Sequence, residues 1–160
     1  MAKAISNTSP LLYLWRIHRL DWLPALFDEL WTPTAVVAEL LEGQQRGYDV
    51  PNPNGHAWLQ IVDPQYVPSE WLTRDLGKGE IAAMALALEN PGRIVLLDDT
   101  LARQVAQSAG LKVWGTLRVL LEAKSRGLTQ SIEPVVHQLQ EAGMWVSADI
   151  RRRVLTLADE

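Results

Sequence analysis

At 160 residues, with a formal net charge of −4 and no cysteine, the chain is long enough to bury a core without staples, and a disulfide framework, a thiolate metal site and cysteine catalysis are excluded. The acidic balance argues against a protein that coats nucleic acid with a broad basic surface, but it is compatible with a nuclease built around an acidic metal site. No apolar run approaches the ~18 residues of a membrane span, and the N-terminus lacks a basic flank followed by an apolar stretch, so a soluble, cytoplasmic protein is expected. A short β-prone run, Ala4-Ile5-Ser6, comes first, followed by Asn7-Thr8-Ser9-Pro10 and a helical pattern over 10–18. Helix is expected again at 22–29, strand at Leu30-Trp31, and helix at 33–45, where Thr32 can cap and Pro33 suits the first turn. A strand over Trp58-Leu59-Gln60-Ile61-Val62 follows, then helix at 79–90, strand at Ile94-Val95-Leu96-Leu97, helix at 99–109, strand at Leu111-Lys112-Val113-Trp114 and helix at 116–127. The tail after Gly127 reads as two further helices with a glycine-containing break.

Short apolar strands alternating with helices imply an α/β fold with a parallel sheet covered on both faces. The run "RIVLLDD" shows no polar alternation, as a doubly buried strand should. Two irregular stretches, 43–57 and 63–79, are rich in Gly, Pro, Asn and Asp, and loops of that length often cover a site. The chain has seven Trp and one Phe. Trp15, Trp22, Trp31, Trp58, Trp71, Trp114 and Trp145 are scattered and expected mostly in the core or at interfaces.

Ligands of open α/β sheets bind beyond the carboxyl ends of the strands. Asn7 follows the first strand, and Asp98 and Asp99 follow the "IVLL" strand. On the helix at 33–45, Val36, Val37, Leu40 and Leu41 make the apolar stripe, with Glu39 at its border. On the next, Ile81, Met84 and Leu88 make the stripe, and Glu80 borders it in the first turn, where the helix dipole favours a carboxylate. Positions 7, 39, 80 and 98–99 could therefore present oxygen ligands to one cleft. With no Cys, and His18, His56 and His137 unhelpfully spaced, the donor set is hard oxygen, which suits Mg²⁺ or Mn²⁺. Each residue also has a plainer reading. Asn7 or Ser9 can cap the helix opened by Pro10, Glu39 and Glu80 can be ordinary border carboxylates, and Asp99 can cap "TLARQVAQSAG".

The segments "SNTSPLLYLWRIHRLDWLPALFDELWTPTAVVAELLEG", "GKGEIAAMALALE" and "IVLLDDTLARQVAQSAGLKVWGTLRVLLEAKSRGL" resemble, in this order, those of PIN-domain proteins, with a VapC-toxin-like branch the nearest likeness. The resemblance covers about residues 3–130, and the tail looks like that branch's C-terminal helices. It implies a PIN-like three-layer α/β/α sandwich, residues 1–160 as a single domain with a C-terminal helical extension at about 131–160, and a Mg²⁺- or Mn²⁺-dependent endoribonuclease. RNA is the implied substrate, a small antitoxin the implied partner, and a homodimer the implied assembly. Carried over by position, the catalytic and metal-binding residues fall on Asn7, Glu39, Glu80 and the Asp98-Asp99 pair, with Asp99 preferred but the two not separated. Thr8, Ser9 and Thr116 match small hydroxyl positions at the edge of the site. Lys78, Arg103 and Arg118 are candidate phosphate contacts, or solvated surface charges. The first acid of the family is usually Asp, so Asn7 removes one negative charge. A degenerate PIN domain that binds RNA or protein without cutting it is the alternative. A nucleotide-binding α/β protein is disfavoured because neither "GxGxxG" nor "GxxxxGK[ST]" occurs. Trp15, Trp22 and Leu23, beside "RIHRLD", are expected to exceed what one core can bury and to form a dimer surface.

Overall fold

The computed structural model describes residues 2–160. Among the described residues five strands form: β1 (Ala2–Ser6), β2 (Phe27–Thr32), β3 (Leu59–Ile61), β4 (Ile94–Leu96) and β5 (Lys112–Trp114). All pairings are parallel, in the order β3-β2-β1-β4-β5. Parallel neighbours need crossovers, and helices supply them: α1 (Thr8–Arg16), α2 (Trp22–Leu26), α3 (Thr34–Gln45), α4 (Lys78–Glu89) and α5 (Thr100–Ser108), while α6 (Thr116–Ser125) follows the last strand. Two more, α7 (Glu133–Glu141) and α8 (Ala148–Leu157), form the tail. They are separated at Gly143, whose φ of +107° is a left-handed backbone open to glycine.

The sheet divides the core in two, because alternate residues of a strand face opposite sides. Ala4, Leu30 and Leu96 face a cluster built with Leu14 of α1, Leu23 of α2, Leu40 of α3, Leu120 of α6, Val136 of α7 and Val154 of α8. Ile5, Val95 and Leu97 face the other, built with Met84 and Leu86 of α4, Ala102 and Ala106 of α5, and Trp71. The result is a three-layer α/β/α sandwich. Chain order leaves β1 toward β2 on one side and returns to β4 on the other, so the topological switch point lies between β1 and β4.

Several expectations change. The helix expected at 22–29 stops at Leu26, and β2 begins at Phe27. The cause is tertiary: Ala2 pairs with Phe27 and Lys3 with Glu29, and Glu29 binds Lys3 at 2.6 Å and Arg93 at 3.0 Å. Leu41 and Leu88, expected within buried stripes, are each 36% exposed. On α4 burial instead wraps around Gly79, Ala83, Ala85, Leu86 and Ala87, since small side chains let the helix lie close both to the sheet and to α3. Trp22 and Leu23 are buried in the chain's own core, and Trp15 donates its indole N–H to Asp49 at 3.0 Å, so the premise for a dimer surface in this region does not hold. Trp22 and Trp71 are buried, whereas Trp145 is 83% exposed. No helix among the described residues is long and apolar enough to cross a membrane.

The tail is fastened by the side chain of Glu160. Its carboxylate accepts from the Ile132 N–H at 2.8 Å, the Glu133 N–H at 3.0 Å, the Ser131 hydroxyl at 2.5 Å and the Lys124 ammonium at 2.9 Å. Burial pushes this carboxyl up, but the four donors together outweigh it and bring it down to about 2. Glu160 thus caps the start of α7 from a distance. A folded-state value below the ordinary 4.5 means that the stabilisation is fully present above about pH 4.5 and is lost as pH falls toward 2. Glu160→Gln should lower stability at pH 7 by about 1 kcal/mol, as loss of a cap does, or roughly 2–4 °C in melting midpoint. The difference between the two proteins should shrink as pH falls through this window, which thermal melts at a series of pH values will read.

Candidate metal and nucleic-acid site at the carboxyl edge

Because every strand is parallel, each delivers its next residue to the same edge of the sheet. Asn7 follows β1, and its backbone N–H donates to the Leu96 carbonyl at 3.1 Å, closing the switch point between β1 and β4. Asn7 occupies the position before the first turn of α1, but its side chain makes no capping hydrogen bond. It is only 4% exposed, and its Oδ1 is buried without a hydrogen-bond partner. A buried polar atom left unpaired costs about 1–3 kcal/mol. The cap reading of Asn7 therefore fails, and its oxygen is free for a ligand. Ser9 is half-buried in the first turn of α1.

Glu39 projects from α3 and is held from two directions. The Thr8 hydroxyl donates to its Oε2, and the Gly79 N–H donates to its Oε1 at 3.0 Å. Gly79 lies in the first turn of α4, where backbone N–H groups lack helical partners. A Cβ on Gly79 would stand 2.7 and 2.8 Å from the two carboxylate oxygens. A side chain at this position would therefore push the Glu39 carboxylate out of its place. Sequence reasoning passed over Gly79, although the small residue directly before the Glu80 of "GKGE" was the available signal.

Glu80, also in the first turn of α4, accepts the Gly77 N–H at 2.8 Å. Burial raises its pKa, the Gly77 bond opposes this, and the negative charges of Asp99, Glu39 and Asp75 raise it further. Glu80 thus shares a negative field with Glu39 and Asp99. The loop at 43–57 returns to the same region, where Tyr48 and Val50 line a recess of about 270 Å³ with Thr8 and Glu39.

The Asp98-Asp99 pair divides. Asp98 accepts the Thr116 N–H and the Thr116 hydroxyl, each at 2.7 Å. Burial pushes its carboxyl up, while the two Thr116 bonds and the Arg103 charge pull it down. Thr116 is fully buried and gives both its donors to Asp98, which is the geometry of a support. Asp99 accepts the Ala102 N–H at 2.9 Å and caps α5, as one plain reading expected, yet it is exposed and its charge reaches Glu80. Arg103 donates to the Leu97 carbonyl at 3.5 Å, and a Cβ on Gly115 would run into its guanidinium. Arg118 is exposed, pairs with Glu122 at 3.0 Å and lies 5.1 Å from the centre of the Trp114 ring. Lys78 is exposed at the start of α4.

Among the described residues no three acidic or histidine side chains are grouped closely enough to hold a metal ion by themselves. What the edge offers is a buried, unpartnered amide oxygen at Asn7 and the carboxylates of Glu39, Glu80 and Asp99, a set of hard donors suited to Mg²⁺ or Mn²⁺. The chain finds no match among curated proteins, and none among solved structures. A family model described as a PIN domain matches residues 3–160. That match spans nearly the whole chain, including the five parallel strands and both tail helices, and the chain belongs to the PIN-domain family.

Proposed function

We propose that this PIN domain is a Mg²⁺- or Mn²⁺-dependent endoribonuclease of the VapC toxin type, with metal affinity weakened by Asn7. PIN domains have a nuclease-type fold, are generally dependent on divalent metal and generally bind nucleic acid. The observation that carries the reading is the buried, unpartnered Oδ1 of Asn7 at the switch point, on the edge where Glu39, Glu80 and Asp99 share one field. Asn7, Glu39, Glu80 and Asp99 would hold the ion. A bound cation would supply activation of water and stabilisation of charge on the phosphate. Thr8 and Gly79 fix the Glu39 carboxylate between them. Glu80, whose proton affinity is raised, is suited to orient water and to take up its proton. Asp98, tied to Thr116, keeps β4 and α6 in register. Arg103, Arg118 and Lys78 supply positive charge along the edge for the backbone, and Ser9 a hydroxyl near it.

Residues 1–160 are read as one such domain acting in the cytoplasm, with the branch's small antitoxin as its partner. A homodimer remains part of this reading, through a surface other than Trp22 and Leu23. The alternative is a PIN domain that binds RNA or protein without cutting. It is favoured by the neutral Asn7 and by the lack of a close three-acid group among the described residues.

Cleavage of a mixed RNA pool in Mn²⁺, abolished by chelator, is the expected result; binding without cleavage would select the alternative. Asn7→Asp adds an anionic ligand and should tighten Mn²⁺ by about tenfold or more while raising cleavage; calorimetry giving equal affinities for both proteins would count against the site. Asp99→Asn should abolish cleavage without unfolding the protein, because Asn caps a helix nearly as well as Asp. Gly79→Ala should displace Glu39, with about 1–3 kcal/mol of overpacking and loss of cleavage. Part of that stability should return when Glu39→Ala is added, as read from denaturant midpoints of the single and double variants.

A further inference from the structure

The acidic edge continues into an open cleft of about 660 Å³ between α5, β5, α6 and the tail. Its lining includes Asp98 and Asp99, two indoles (Trp114 and Trp145) and two guanidinium groups, Arg103 and Arg118. Among the described residues Trp145 is the most exposed large hydrophobic side chain, at 83%, whereas Trp22 and Trp71 are buried. It sits in the connection between α7 and α8, next to the buried Val146 that anchors that connection. The residues on either side of the indole are tied to α7: the Met144 N–H donates to the Leu139 carbonyl at 3.0 Å, and the Gln140 side-chain amide donates to the Val146 carbonyl at 3.4 Å.

Indole faces beside guanidinium groups are the equipment of a single-stranded nucleic-acid path. Bases stack on the rings whatever their sequence, and the cations follow the backbone. The exposed Arg118, held over the face of Trp114, places positive charge on the same wall. Continuity with Asp99 and Asp98 decides the occupant: a chain lying in the cleft has its backbone beside the acids. We infer that this cleft is a nucleobase subsite in which Trp145 stacks on a base of single-stranded RNA close to the bond presented to the acidic edge. This inference rests on the ribonuclease reading of that edge.

The test uses the full chain and a short, labelled, single-stranded 2′-O-methyl oligonucleotide of mixed sequence, titrated by fluorescence anisotropy in Mn²⁺ and in chelator. Trp145→Ala should weaken binding about tenfold, Trp145→Phe should keep most of the affinity, and a duplex of the same sequence should show no dependence on residue 145. Indole fluorescence should be quenched on binding in the wild type and less so in Trp145→Phe. Equal affinities for wild type and Trp145→Ala would overturn the subsite, as would no binding to the wild type in either condition. A sedimenting dimer that Trp145→Ala turns into a monomer would assign the face to a second copy and overturn it too. Binding that depends on Trp145, without cleavage of RNA in Mn²⁺, keeps the subsite and rejects the ribonuclease reading. Cleavage with affinity indifferent to Trp145 does the reverse.

Discussion

The hydrogen bond from the Asn7 amide to the Leu96 carbonyl carries the pairing of β1 and β4 one residue beyond Ser6, and the whole edge is arranged around it. A parallel sheet sends all its strand ends to one side, so the helices that follow β1, β2, β4 and β5 all begin there. Helix starts carry backbone N–H groups without helical partners and the positive end of the dipole. Each acid of the edge uses one of them. Glu39 takes the Gly79 N–H and Glu80 that of Gly77, while Asp99 takes Ala102 and Asp98 takes Thr116. The fold therefore concentrates negative charge and partly compensates it with its own backbone.

That compensation explains how the acids coexist in the folded chain. Glu80 still feels the charges of Asp99 and Glu39, and a fifth carboxylate at position 7, buried at 4% exposure, would add to the repulsion. Asn7 avoids that cost and keeps an oxygen in place. The same neutrality lowers what the edge can offer a divalent cation, whose affinity follows the number of anionic ligands. On the proposed reading, stability without metal and affinity for metal are set against each other at this residue.

The tail forms one wall of the cleft that Asp98 and Asp99 also line. α7 and α8 close one half of the core through Val136, Leu139 and Val154, and the Glu160 carboxylate ties the start of α7 to Lys124 of α6. Their connection leaves Trp145 in water, lining the same cleft as Asp98 and Asp99. Burial on one side of the tail and exposure on the other follow from the short link between the helices, in which Gly143 turns the chain through a left-handed conformation.

The doubly buried strands were legible in the sequence because an unbroken apolar run such as Ile94-Val95-Leu96-Leu97 has few other uses. The acidic residues proposed for the site stood out in the sequence because they follow such strands or border apolar helix faces. Periodicity could not place the start of β2, since Asp28-Glu29 reads as helix until Lys3 and Arg93 arrive from other elements to bind Glu29. Nor could it show that Gly79 holds the Glu39 carboxylate against its backbone, because Glu39 lies forty residues away. Asp98 and Asp99 are adjacent in sequence and alike in chemistry. Tertiary structure separates them because successive side chains leaving a strand diverge: one meets the start of α6 at Thr116, and the other caps α5 in the field of Glu80. The residue types, and the edge they occupy, were determined by local pattern; which atoms face each other there was decided only by packing between elements distant in the chain.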